Sequence, residues 1–305
     1  MSLNTKFLHM DLKNPVILAS GIMDISASAM RFCIDCGAGA VVTKSISLEP
    51  RFGHKSPIII TEESFMMNAV GLSNSGVVDT IDEIREYKKM CNEPIIASIF
   101  GKTVKEYAEM AKKITVAEPD LIEVNISCPN VEDEFGKPFS MQCESAAQVT
   151  KVVKENTNIP ISVKLSPNVP NIGAIAKACQ DAGANAISAI NTAGPGLVID
   201  TVTAKPILQN KVGGVSGPAI RPLAVKAVWD IYEAVDIPIL GIGGITYGND
   251  AIQMIMAGAS AVQLGSAIYY RGNDVFKKVN DEIKEFMEKN NYSSIKDIVG
   301  IAHEN

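Results

Sequence analysis

The sequence predicts an α/β protein folded as a closed (β/α)8 TIM barrel, and three observations carry that expectation. Short β-branched, apolar runs recur eight times along the 305 residues. Helical patterns with apolar residues three and four apart lie between them. Several of those helices end in small-residue turns, "CGAGA", "DAGANA" and "MAGASA", where glycine supplies the left-handed backbone that leads out of a helix into the next strand. Eight units without a break in composition favour one barrel over two doubly wound sheets, so residues 1–305 read as a single domain.

The elements follow in order. The opening "TKFLHMDLKNP" reads as a β-hairpin cap across the barrel bottom. The eight strand runs are "VILAS", "AVVTKSI", "PIIASIF", "LIEVNIS", "ISVKLS", "AISAINT", "IPILGIGG" and "AVQLGSAI". Between them lie "SASAMRFCIDCGAGA", "VVDTIDEIREYKKM", "TVKEYAEMAKKI", "SAAQVTKVVKEN", "NIGAIAKACQDAG", "LAVKAVWDIYEAV" and "AIQMIMAG", each with helical spacing. Two connections, 47 to 75 after the second strand and 193 to 217 after the sixth, are far longer than the usual few residues, and long loops at a barrel rim cover a site.

Composition narrows the chemistry. Apolar residues are 47% and charged residues 20%, enough for one sizeable core without covalent staples. The formal charge of −6 and the absence of any run of five basic residues exclude the electrostatic footprint of a nucleic-acid or anionic-membrane binder. An anionic substrate would therefore need a local cation. The longest apolar runs, "PVILASGIM" and "PIIASIF", fall short of the roughly 20 residues that span a bilayer, and no basic-then-apolar leader opens the chain, so a cytoplasmic location is expected.

Six scattered cysteines point to reduced thiols. Only Cys33 and Cys36 form a CxxC pair, with no second pair or nearby histidine to complete a metal site. Their spacing on a helix reads as core packing. His9, His54 and His303 are far apart and receive no role, so no metal is expected.

In such barrels chemistry gathers at the C-terminal ends of the strands. The polar residues there are Ser20, Lys44, Ser45, Ser98, Asn125, Cys128, Lys164, Asn191, Thr192, Gly243, Gly244, Gly265 and Ser266. A buried lysine is costly without an anion, so Lys44 and Lys164 should each meet a protein carboxylate or a bound ligand. The glycines after strand seven and in strand eight suit a phosphate held by backbone N–H groups. Asn68, Asn125, Asn130, Asn191 and Thr192 offer neutral donors and acceptors for a flat heterocycle. There is no GxGxxG after the first strand, no GxxxxGK[ST] and no serine-histidine-acid set, which leaves Cys128 as the reactive side chain, able to take a proton from a weakly acidic carbon.

The motifs "NISCPNV", "VKLSPN", "INT", "GGVSGPAIRPLA", "IPILGIGGI" and "AVQLGSAI", in this order and spacing over nearly the whole chain, resemble those of the class 1 dihydroorotate dehydrogenases, most closely the B-type catalytic subunit. The resemblance implies one flavin mononucleotide (FMN) inside the barrel and oxidation of dihydroorotate to orotate in de novo pyrimidine (UMP) biosynthesis. It implies that Cys128 removes the C5 proton while the C6 hydride passes to flavin N5. Class 2 relatives use serine there and usually carry an N-terminal membrane segment. Substrate contacts would fall on Lys44, Asn68, Ala69, Val70, Gly71, Leu72, Asn125, Asn130, Asn191 and Thr192. Flavin contacts would fall on Ser20, Lys44, Ser45, Asn125, Lys164, Ile190, Gly217, Gly243, Gly244, Gly265 and Ser266.

The resemblance also implies a homodimer core that joins two partner subunits, each carrying FAD and a [2Fe–2S] cluster, in a heterotetramer that passes electrons to NAD. A single-subunit, fumarate-using A-type enzyme, a dihydropyrimidine dehydrogenase-like FMN enzyme acting on uncharged rings, and a non-catalytic barrel that binds FMN or serves only as a scaffold for a partner are the alternatives. Two places depart from the family pattern: Ser98 stands where asparagine is usual, and "INTAGPG" lacks the usual bulky residues after "INT".

Overall fold

Phe7, Met10 and Leu12 stand on one face of an antiparallel hairpin, β1 (Thr5–Phe7) and β2 (Met10–Leu12), because Phe7 pairs with Met10 and Thr5 with Leu12. All three are buried against Ile17, Val42, Ile96, Leu121 and Leu240, so the hairpin plugs the bottom of a barrel. The computed structural model describes residues 2–127 and 139–304.

From the hairpin the chain runs through β3 (Val16–Leu18), α1 (Ala27–Asp35) and β4 (Ala40–Val42). The first long connection carries β5 (Ile59–Thr61) and β6 (Met66–Asn68). Then come α2 (Val77–Met90), β7 (Ile95–Ile99), α3 (Val104–Thr115), β8 (Leu121–Asn125), α4 (Cys143–Glu155), β9 (Ile161–Leu165), α5 (Ile172–Asp181) and β10 (Ala186–Ala189). The second long connection holds β11 (Ala193–Leu197), β12 (Ile199–Asp200), β13 (Lys205–Pro206) and β14 (Val212–Ser216). The chain finishes with α6 (Arg221–Tyr232), β15 (Ile239–Ile242), α7 (Gly248–Met256), β16 (Ala259–Leu264), α8 (Ala267–Arg271) and α9 (Val275–Lys289).

The barrel closes in the order β3-β4-β7-β8-β9-β10-β15-β16, with every neighbouring pair parallel. Each of the eight runs expected from the sequence supplies one strand, and every strand stops before its run does. The reason is local: Thr43, Lys44 and Ser45, for example, leave the ladder to enter the rim.

Strand alternation separates two cores. Ile95, Ala97 and Ile99 of β7, with Ile122 and Val124 of β8, face the helices. The helices answer with apolar stripes, such as Tyr107, Met110, Ala111 and Ile114 of α3, whose start is capped by Thr103 Oγ1 accepting from Glu106 N at 3.1 Å. Burying each large apolar side chain contributes about 1.5–3 kcal/mol. The helical stretches named from the sequence stop before the eighth strand, whereas two α-helices follow it among the described residues. In α9, Val275, Phe276, Val279, Ile283 and Met287 are buried at helical spacing. No helix among the described residues is long and apolar enough to cross a membrane.

The two long connections pair with each other. β14 lies between β6 and β11, and β5 extends the sheet, giving the antiparallel order β11-β14-β6-β5 over a small core of Ile60, Met67, Ala69 and Leu208. Glycine is required in the middle of it. A Cβ on Gly213 would lie 2.6 Å from Asn68 O, and one on Gly214 would meet the Thr192 side chain at 2.2 Å.

Candidate active site

Along β8, Leu121, Glu123 and Asn125 point into the barrel, and the change of character along them is the change from core to site. Leu121 packs on the hairpin plug. One step higher, fully buried Glu123 accepts from Lys164 Nζ of β9 at 3.1 Å, from Ser98 Oγ of β7 at 3.5 Å and from Gln263 Nε2 of β16 at 3.0 Å. β7 and β9 flank β8, whereas β16 lies across the barrel, so Gln263 reaches Glu123 only because both side chains face inward. Lys164 thus finds its anion in a protein carboxylate, one of the two partners its burial demanded.

Above this layer a chain of neutral groups runs round the mouth. Ser45 Oγ lies 2.8 Å from Ser98 Oγ, 3.4 Å from Ser20 Oγ, and accepts from Asn125 Nδ2 at 3.1 Å. Asn125 Oδ1 accepts from Ser127 Oγ at 2.7 Å, and Asn191 Nδ2 donates to the same Ser127 hydroxyl. Tyr107 Oη donates to Asn125 O at 2.8 Å and fixes the strand end from outside. Ser20, Ser45, Asn125 and Asn191, picked out separately from four strand ends, therefore belong to one hydrogen-bonded set. Cys128 and Asn130 lie outside the described residues, as does the segment up to residue 138. Ser127, which directly precedes Cys128 in the chain, is the last member of the set.

Lys44 is half-buried and makes no ion pair among the described residues. It stands near Asp24, whose carboxyl is pushed above the ordinary carboxylate range by burial, against the opposing pull of the Lys44 charge. Asp24 Oδ2 also accepts from Gly21 N at 2.5 Å, which holds the turn after β3.

Asn68 ends β6, where its register partners are Gly214 and Ile59. The segment from Ala69 to Leu72 is tied back to the same connection: Ala69 N donates to Ile58 O at 2.8 Å and His54 N to Val70 O at 3.0 Å. Gly71 and Leu72 adopt positive φ, and Asn74 Nδ2 donates to Leu72 O at 2.9 Å. Because β14 is flanked by the Asn68 backbone on one side and Thr192 on the other, both come to the same wall of the mouth.

The ends of β15 and β16 form a different surface. Among the described residues no protein acceptor takes up the backbone N–H of Gly243, Gly244, Gly265 or Ser266. A Cβ on Gly265 would meet nothing closer than Ala19 Cβ at 3.6 Å, an ordinary contact, so the backbone there is not crowded. Gly243 and Gly244 have φ of +120° and +72°, with Ile190 packed beside Gly243. Gly217, φ +86°, sits next to Met66 N and Tyr270 Oη at the start of α6.

This donor set fits FMN. Backbone N–H groups without a protein acceptor suit its phosphate, and the Ser20, Ser45, Asn125 and Lys164 groups suit the edge of its ring. The Oε1 atom of buried Gln263 has no protein partner, an unused acceptor in the layer that holds Glu123 and Lys164. Among the described thiols, Cys33 and Cys179 are pushed up to about 12 by burial, the opposite of what proton abstraction needs. No three His, Cys, Asp or Glu side chains converge on a metal site among the described residues.

Glu123, Gln263, Ser127 and Asp24 were not singled out by the sequence reading. A signal for Glu123 was present: an acid at an inward position of the apolar run "LIEVN" has to be matched by a buried cation.

The family model for dihydroorotate dehydrogenase matches residues 2–287. The chain is 48% identical to the catalytic subunit of dihydroorotate dehydrogenase B (NAD(+)) from Methanocaldococcus jannaschii, over 99% of this chain and 98% of the relative. It is 43% identical to the subunit of the same name from Methanothermobacter thermautotrophicus, over 99% of each chain. Against the one from Pyrococcus abyssi it is 41% identical, over 98% of this chain and 99% of the relative.

Proposed function

Because the chain belongs to the dihydroorotate dehydrogenase family, whose members are FMN-dependent oxidoreductases, we propose that it oxidises dihydroorotate to orotate in de novo pyrimidine biosynthesis, with residues 1–305 acting as one FMN-binding barrel domain. The observation that carries the reading is Lys44. It is a half-buried cation at the barrel mouth without an ion pair among the described residues, beside a row of neutral amides and hydroxyls. That combination suits a planar amide ring bearing one carboxylate and suits an uncharged pyrimidine less well.

In this reading Lys44 pairs with the substrate carboxylate. Asn68, Asn125, Asn130, Asn191 and Thr192 hold the ring amides, and the backbone from Ala69 through Val70 and Gly71 to Leu72 closes over it. Ser127 anchors the segment that leads to Cys128 through its bonds to Asn125 and Asn191. Cys128, as thiolate, takes the C5 proton. Bound FMN supplies the acceptor, at its N5, for the hydride that leaves C6. Lys164 places a positive charge beside the ring. The N–H groups of Gly243, Gly244, Gly265 and Ser266 take the phosphate, while Ser20, Ser45, Ile190 and Gly217 line the rest of the flavin site.

The relatives' names contain both NAD(+) and "catalytic subunit", which supports a partner subunit. We assign the FAD and the [2Fe–2S] cluster to that partner. We assign to this chain a homodimer core, a heterotetramer with two partners, and a cytoplasmic location.

The test is an anaerobic absorbance spectrum of the purified chain before and after adding dihydroorotate, with dihydrouracil for comparison. Bleaching of the flavin band by dihydroorotate alone is the expected result. Preference for dihydrouracil, or a bound flavin that neither compound reduces, would overturn the assignment.

A further inference from the structure

Glu123 is fully buried, and no step of the proposed reaction uses it. A carboxylate in that position is costly, and an apolar residue of similar volume would fill it more cheaply. Other strands of the barrel do place apolar residues, Ile17, Val42 and Leu240, at inward positions. Something other than packing is therefore being served.

The contacts of Glu123 show what. It receives hydrogen bonds from three other strands: from Lys164 Nζ and Ser98 Oγ at Oε1, and from Gln263 Nε2 at Oε2. Lys164 is the one cation among them and has a side chain only 6% exposed. Its ammonium carries three hydrogens, and the bond to Glu123 is its single protein hydrogen bond among the described residues. Gln263 turns its amide hydrogens to the carboxylate and leaves its own Oε1 without a partner, so the layer is organised around the negative charge.

We propose that Glu123 is a positioning residue. It holds the Lys164 ammonium at the floor of the flavin site and, as its counter-charge, moderates the pull of that cation on electrons entering the ring. The inference rests on the flavin reading of the site.

The experiment is slow anaerobic reduction of the FMN-bound enzyme together with a reference dye, which gives the two-electron equilibrium between flavin and dye. Glu123→Gln keeps the shape and an acceptor for Lys164 while removing the charge, and the Gln263 amide can turn over to meet it. The equilibrium should shift toward reduced flavin by about tenfold, equivalent to about 30 mV for two electrons. Lys164→Met should shift it the other way, and adding Glu123→Gln to Lys164→Met should change little further. An unchanged or opposite shift in Glu123→Gln, or the same shift with and without Lys164, would overturn the proposal.

Should Glu123→Gln fail to fold, Glu123→Asp withdraws the carboxylate by one methylene. It should give a smaller shift of the same sign, and no shift would count against the proposal. Wild-type protein that binds no FMN would sink the flavin reading itself. Wild-type protein bleached by dihydroorotate, with potentials unmoved in the variants, would sink only the role of Glu123.

Discussion

Ser98 Oγ lies 2.8 Å from Ser45 Oγ, and the same hydroxyl reaches Glu123 Oε1 at 3.5 Å. One short side chain thereby joins the neutral groups of the rim to the charged layer beneath. A hydroxyl can donate to one neighbour while accepting from another, which suits a link between two layers. The family resemblance leads one to expect an asparagine here. The serine is fully buried and turns its polar atom to protein partners on either side.

Ser98→Ala removes that link and leaves its neighbours partly satisfied. Ser45 keeps Ser20 and Asn125, and Glu123 keeps Lys164 and Gln263. The expected loss is about 1–2 kcal/mol of stability in urea unfolding, with FMN retained. A loss of bound FMN in this variant would show that the hydroxyl faces the cofactor instead.

Cys128→Ala should retain FMN and lose reduction by dihydroorotate by about 10²–10⁴-fold, the usual scale of a general base. Anaerobic stopped-flow absorbance reads both quantities. Near wild-type reduction would remove Cys128 from the mechanism.

Lys44→Met should weaken dihydroorotate binding by about 10-fold or more, since a charge-assisted hydrogen bond contributes about 1.5–3 kcal/mol. Dihydrouracil, which has no carboxylate, should be affected much less. Titrating the flavin absorbance with each compound gives the ratio, and equal losses for both would refute a carboxylate partner.

Gly265→Ala and Gly244→Ala should separate cofactor binding from folding. At Gly265 the new methyl meets only ordinary contacts, so the unfolding midpoint should hardly move while FMN binds more weakly. At Gly244 a Cβ would lie 2.6 Å from the Arg221 backbone N, at φ +72°, so stability should also fall, by about 1–3 kcal/mol. Fluorescence of released FMN and urea unfolding of each variant make the comparison.

Asp24 gives a pH prediction. Burial raises its carboxyl above the unfolded-chain value, so its contribution to stability is fully present in acid and is lost as pH rises through the raised value. Asp24→Asn, which keeps an acceptor for Gly21 N, should therefore gain on wild type as pH rises. The two should unfold at similar urea concentrations near about pH 3, and the variant should be ahead near about pH 7. A gap that is constant across that range would contradict the assignment.

Much of this was legible in the sequence because strand ends are. Lys44, Ser45, Asn125, Lys164 and Asn191 each follow or end an apolar run, and a barrel brings such ends to one mouth. The partner of Lys164 was less visible. Glu123 sits in the middle of its run, and whether an inward acid faces a lysine or a glutamine depends on the register of three strands that periodicity alone does not give. The joint sheet of the two rim connections was also hidden. Their lengths are plain, but pairing between residues 66–68 and 214–216 is a contact across half the chain. The helix α9 has an ordinary amphipathic pattern and belongs to the eighth unit, yet the helical patterns named from the sequence stop before the eighth strand.

That joint sheet makes the two rim connections a matched pair. Register places Asn68 opposite Gly214, whose missing Cβ is what lets Thr192 approach. A slip of one residue in β14 would turn every side chain over and bring Val215 or Gly213 to that position. An insertion or a graft confined to one connection would therefore misalign both walls of the mouth at once. Exchanging rim loops between barrels of this kind should succeed only when both are moved together, since either one alone exposes an unpaired strand edge.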